Sequence, residues 1–291
     1  MLNREASRRH AGNMTQHAVP ESTVRGQGEL MKPIITTHNL TKRFGNFTAV
    51  DHINLEIMEG EIFGFLGPNG AGKTTTIRML TTLSEASEGR AEVGGYDVRT
   101  QGDEVRRRIG LVAEKLILYP RLSAVENLMF FGELYGMNRT ELRARIDELL
   151  TMVRLENFKD MPAGGYSSGM RQRLNIIRGL LHDPDILFLD EPTALLDPQS
   201  VRFVRDLVKE LNADGKTIIL TTHIMEEADE LSHRVGIMDN GKMVAVDDTA
   251  FLKSKFKCDS LEEVFLELTG RTLRDSASSR VPMRRGAMGR V

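Results

Sequence analysis

The sequence predicts an α/β fold built on a mostly parallel sheet, with an antiparallel β subdomain and an α-helical insertion. Three observations carry this. Short apolar runs at Ile186–Leu189 and Thr217–Leu220 each follow a helical stretch, as buried parallel strands do. Ile53, Leu55 and Ile57 alternate with polar residues, the pattern of a half-buried strand. From about 123 to 155, two amphipathic helices follow one another with no strand between them.

The elements follow in order. Residues 1–30 are rich in Arg, Glu, Ser, Gly and Gln, lack apolar periodicity and are read as a disordered tail without a signal-peptide core. The globular pattern runs over 31–271, with the helical subdomain at about 115–182. Glu59-Gly60 turns the alternating strand into Glu61–Leu66, predicting an antiparallel pair. A Gly-rich loop follows, then a helix carrying Ile77, Met79 and Leu80, then a strand over Ala91–Val98. Val125, Leu128, Met129 and Leu134 mark the first inserted helix, and Asn138-x-x-Glu141 opens the second as a capping box. Val235–Met238 and Met243–Val246 flank Asn240-Gly241, a hairpin signal. A last helix runs from Ser260-x-x-Glu263 through Leu261, Val264, Phe265 and Leu268 to a stop at Gly270. No internal repeat interrupts this series.

Bulk composition narrows the function classes. Of 291 residues, 40% are hydrophobic and 27% charged, with net charge −2. Nothing in that balance points to nucleic acid as partner. The single cysteine, Cys258, excludes an internal disulfide and fits a reducing compartment. No stretch approaches the roughly 18 apolar residues of a membrane helix. From 271 to 291 there are six Arg against one acid, read as a solvated disordered basic tail over 272–291; contact with anionic lipid is the alternative.

Gly67-Pro68-Asn69-Gly70-Ala71-Gly72-Lys73-Thr74 fits the pattern G-x-x-x-x-G-K-[ST]. Glycines let the backbone curl so that successive N–H groups face phosphate oxygens, and the following helix offers its positive end to the same anion. Lys73 is placed to bridge β- and γ-phosphates, the Thr74 hydroxyl to ligate Mg²⁺, and Thr75 lies beside them. The expected ligand is ATP with Mg²⁺, on the core of a P-loop NTPase.

Asp190-Glu191 closes the apolar strand Ile186–Leu189, at the edge where α/β sheets bind ligands. Asp190 suits Mg²⁺; Glu191 suits a base that polarises the attacking water. His223 ends the neighbouring strand in Thr221-Thr222-His223, where an imidazole can reach a γ-phosphate.

Together these residues resemble the nucleotide-binding domain of ABC transporters, over about 33–270. Tyr166-Ser167-Ser168-Gly169-Met170, continued by Arg171-Gln172-Arg173-Leu174, resembles the family's signature motif. Asp197 resembles the D-loop aspartate, Phe44 the residue on which adenine stacks, and Glu114 stands at the Q-loop position, facing nucleotide and metal. The Ser-Gly-Met signature and Leu261-Glu262-Glu263-Val264-Phe265 resemble the ATPases paired with separate multidrug, sodium or lipid-type exporter permeases. The resemblance implies the ABC ATPase fold and a head-to-tail dimer over two ATP molecules. Each ATP lies between one chain's phosphate loop and its partner's Ser167, Ser168 and Gly169. It further implies a membrane permease as partner, and a place at the cytoplasmic face of the cell membrane. The segment Leu116–Tyr119 with the helical insertion is either the permease-docking groove or ordinary core. Three departures bear on coupling: Glu114 replaces Gln, Ser168-Gly169-Met170 replaces Gly-Gly-Gln, and Leu195 fills a usually small D-loop position. A soluble ABC-type ATPase serving ribosomes or DNA is the alternative; one phosphate loop and no heptad run speak against it.

Overall fold

A computed structural model describes residues 32–115 and 117–270. The expectations for 1–30, 272–291 and Leu116 lie outside the described residues.

Two sheets form the frame. β1 (Pro33–Phe44), β2 (Phe47–Met58), β4 (Glu88–Val93) and β5 (Tyr96–Asp97) make an antiparallel sheet in the order β2-β1-β4-β5. The second sheet has the order β10-β9-β3-β8-β7-β6. It comprises β3 (Ile62–Leu66), β6 (Ile109–Val112), β7 (Ile186–Asp190), β8 (Thr217–Thr222), β9 (Arg234–Asp239) and β10 (Lys242–Asp248). All its pairings are parallel except β9 with β10, the hairpin about Asn240-Gly241.

One pairing differs from expectation. β2 and β3 do not form an antiparallel pair: β2 pairs with β1, while β3 lies parallel between β8 and β9. The reason is in the burial. β2 alternates as a strand with one covered face, whereas all five residues of β3 are buried, which requires cover on both. Similarly, the apolar run 91–98 is not one strand, because Gly94-Gly95 folds it into the β4–β5 turn.

The buried sheet explains the continuous apolar runs. Ile218 and Leu220 of β8 join a core with Leu187 and Leu189, while Ile219 faces the opposite core with Phe63, Phe65 and Phe188. Burying such a side chain contributes about 1.5–3 kcal/mol. Helix α1 (Lys73–Leu80) packs Ile77, Met79 and Leu80 into that second core. α2 (Gly102–Arg108) leads into β6.

The insertion holds α3 (Ala124–Leu134), α4 (Arg139–Met152) and α5 (Ser168–Gly179). Its capping box lies at the start of α3, where Ser123 and Glu126 bond reciprocally. Asn138 caps α4 through Thr140 N instead, a shorter Asx contact that leaves Glu141 out. α6 (Pro198–Ala213) and α7 (Met225–Leu231) follow β7 and β8; α8 (Thr249–Phe256) and α9 (Leu261–Thr269) close the chain's described part. Ser260 caps α9 at Glu263 N, while the Glu263 carboxylate accepts from Asp259 N, so that box is only half made. Among the described residues, no helix is long and apolar enough to cross a membrane.

Candidate active site

The six-stranded sheet brings three strand ends to one edge: β3 with its loop, β7 with Asp190-Glu191, and β8 with His223. At that edge lies a cavity of about 440 Å³. Phe44, Pro68, Asn69, Gly70, Ala71, Gly72, Lys73, Thr74, Thr75, Glu114, Glu191 and His223 line it, twelve of the residues expected from sequence. Gly67 begins the loop that forms its floor.

Gly72 is the N-cap of α1, with φ 108°, a backbone state closed to most side chains, and no side chain caps the helix. A Cβ there would also stand 2.6 Å from the Ala49 carbonyl oxygen. The first-turn N–H groups of α1 therefore face the cavity with no side-chain acceptor supplied, which is the arrangement that receives an anion.

Lys73 is buried, and its Nζ donates to the carbonyls of Gly67 (2.6 Å) and Pro68 (3.3 Å). Burial holds this ammonium below its usual range, opposed by the carboxylates of Glu191, Asp190 and Glu114. Glu191 Oε1 lies 3.4 Å from Lys73 Nζ, and its Oε2 lies 2.8 Å from His223 Nδ1. The carboxylate is thus gripped between a cation and an imidazole. Its backbone is left-handed, φ 51°, and its N–H is taken by Thr221 Oγ1 at 2.9 Å. A non-glycine residue in that region stores strain, a common property of reacting positions.

Asp190 is almost wholly buried; its Oδ1 accepts from Thr74 (3.0 Å) and Thr221 (2.6 Å) hydroxyls. A hydroxyl and a carboxylate side by side at the foot of a phosphate loop are hard oxygen donors. Mg²⁺ takes such sets of one or two carboxylates, completed by phosphate and water, so these residues fit that ion. Among the described residues no group of three or more His, Cys, Asp or Glu side chains is placed to hold a metal ion.

The model of the ABC transporter family matches residues 50–194. The chain is 40% identical over 228 residues to the linearmycin resistance ATP-binding protein LnrL of Bacillus subtilis, covering 78% of this chain and 73% of that one. It is 39% identical over 233 residues to the Nod factor export ATP-binding protein I of Cupriavidus metallidurans, covering 80% and 77%. Among solved structures, a dimeric ATP-binding cassette in a post-hydrolysis state with ADP and Pi superposes with TM-score 0.66 at 31% identity, covering 74% of this chain and 98% of that one. The chain belongs to the ABC transporter ATP-binding proteins. It has their fold, binds nucleotide and is an ATPase.

Within this ABC ATPase, four expected residues stand apart from the nucleotide cavity: Ser167, Ser168, Gly169 and Asp197 do not line it. Ser167 caps α5, accepting from Met170 N at 3.2 Å. Asp197 caps α6, accepting from Ser200 N (3.0 Å) and Ser200 Oγ (2.6 Å), bonds that hold its carboxyl below the usual range. The two helix starts touch closely: a Cβ on Gly169 would fall 2.0 Å from Ser200 Oγ.

Sequence reasoning missed Phe47, Ala49 and Ala194 on the wall, and treated Leu195 only as a departure. Phe47 pairs with Phe44 across the β1–β2 turn, and both rings are exposed at the cavity. Two Phe separated by Gly45-Asn46 were a legible hairpin signal. Thr221, which positions both Asp190 and Glu191, reads in sequence only as the polar end of a strand.

Proposed function

We propose that this ABC ATPase drives export through a separate membrane permease, working as a head-to-tail pair at the cytoplasmic face of the membrane. The observation that carries the chemistry is the Glu191 carboxylate held between Lys73 and His223 at the mouth of the phosphate loop. Lys73 exchanges the Gly67 and Pro68 carbonyls for β- and γ-phosphate oxygens when ATP enters. Thr74 and Asp190, with Glu114 also lining the cavity, would hold Mg²⁺, which would supply charge neutralisation on the phosphates. Glu191 takes a proton from water as that oxygen bonds to the γ-phosphorus; the bond to the β–γ bridging oxygen breaks, and ADP and phosphate form. His223 holds the γ-phosphate and keeps Glu191 aimed. Phe44 stacks on the base.

The pairing is supported by the separation described above. Ser167, Ser168, Gly169 and Asp197 have no part in their own chain's cavity, so they are available to a second copy's nucleotide. The structure likened to this chain is itself dimeric. Export is supported by a relative named for Nod factor export. Ile117, Tyr119, Phe130 and Leu134 are exposed on the helical insertion, a surface of the kind that partners cover.

One experiment tests both parts. Glu191→Gln should lower turnover about 100-fold or more while ATP stays bound and the chain runs as a dimer in gel filtration. Purified from detergent-solubilised membranes, that trapped form should retain a polytopic membrane protein. Parental hydrolysis would remove Glu191 as base, and recovery with ribosomes or DNA instead would overturn the permease reading.

A further inference from the structure

The turn between Glu191 and Asp197 is held by two buried side chains to which the roles above give no part. On one side, Gln172 Nε2 of α5 donates to the Pro192 carbonyl at 2.8 Å. On the other, Thr193 Oγ1 donates to Glu227 Oε1 at 2.7 Å. Glu227 lies on α7, which begins just after His223, and is fully buried. Its second oxygen, Oε2, has no hydrogen-bond partner among the described residues. Arg205 Nε of α6 stands 3.7 Å from Oε1, too far to donate, and that guanidinium is committed through its other arm to Glu230 at 2.7 Å.

Stability does not account for a glutamate here. A buried carboxylate with one hydrogen bond and a loose cation costs desolvation that an apolar side chain of the same volume avoids. What the carboxylate does provide is a fixed acceptor for Thr193, two residues after the strained Glu191. The turn itself is closed only by long bonds, Ala194 N to the Glu191 carbonyl (3.2 Å) and Leu196 N to the Thr193 carbonyl (3.3 Å).

We infer that Glu227 is a positioning residue for ATP hydrolysis: through Thr193 it fixes the turn that aims Glu191 between Lys73 and His223. Glu227 and His223 ride on one segment, Glu191 and Thr193 on another. The two segments are therefore cross-linked twice, once at the reacting carboxylate and once beneath it. The inference rests on Glu191 as the base.

The test compares Thr193→Val, Thr193→Ser and Glu227→Leu in the full chain, with Glu191 intact. Thr193→Val keeps the shape and removes the donor. It should lower kcat about tenfold to a hundredfold, with KM within about threefold. Thr193→Ser should restore kcat, and Glu227→Leu should match Thr193→Val while melting no lower than the parent. The double variant should be no slower than either single one. Parental kcat in Thr193→Val, failure of serine to rescue, or a KM that rises as kcat falls would overturn the positioning role. If Glu227→Leu does not fold, the two Thr193 variants decide alone. Glu191→Gln, run beside them, fails separately: full turnover there removes the base, whatever Thr193 does.

Discussion

Helices α1 and α5 both begin at a proposed anion site, but they begin differently. α1 starts at Gly72 with no side chain to cap it, and the cavity opens directly on its first turn. α5 starts at Ser167, whose hydroxyl accepts from Met170 N, so one of its first-turn donors is already taken within the chain. The first terminus is left for the nucleotide to complete, at a standing cost in unpaired donors. The second is partly capped by its own chain, and the Ser167 hydroxyl that accepts from Met170 N keeps its own proton to donate to a phosphate. The difference suits the proposed roles, one terminus receiving its own chain's nucleotide and the other meeting that of a second copy.

The largest blow to this contrast should come from Lys73→Ala. It removes the charged side chain that α1 places in the cavity, and ATP affinity should fall about 100-fold, read by nucleotide titration. Unchanged affinity would mean that the loop is not the phosphate site. Gly72→Ala attacks the backbone instead. The left-handed φ and the contact with the Ala49 carbonyl should destabilise the fold by about 2 kcal/mol, seen as a lower urea midpoint, with nucleotide binding lost alongside. A stable, ATP-binding Gly72→Ala protein would show that the open terminus is not built on that glycine. Ser167→Ala should act least: about 1 kcal/mol of helix stability lost, with ATP affinity of the single chain unaltered. If that substitution weakened ATP binding by the isolated chain, α5 would be serving its own cavity.

The phosphate loop was legible because its chemistry is contiguous: eight residues carry the turn, the lysine and the hydroxyl. The strand carboxylates and His223 were legible because parallel strands deliver their ends to one edge. Sheet membership was not. Glu59-Gly60 reads as a hairpin turn, yet Gly60 marks the step from one sheet to another, and only burial on both faces of β3 distinguishes the two. Glu227 was equally hidden. Beside Glu226 in a short helix it reads as a solvated acid; which of the two is buried depends on how α7 packs between α6 and β3. Ser167, Ser168, Gly169 and Asp197 came only through family resemblance, since they lie apart from their own chain's cavity and the site proposed for them needs a second copy.

The floor of the cavity is main chain, set at the end of a strand pinned by a neighbour on each side. Recognition of phosphate is therefore written in backbone geometry, which side-chain substitution can spoil but hardly tune. Nucleotide preference is easier to shift at the rim, where the side chains of Phe44, Phe47, Glu114 and Leu195 line the cavity. For anyone reshaping this motor, the rim is the adjustable part and the floor is the fixed one.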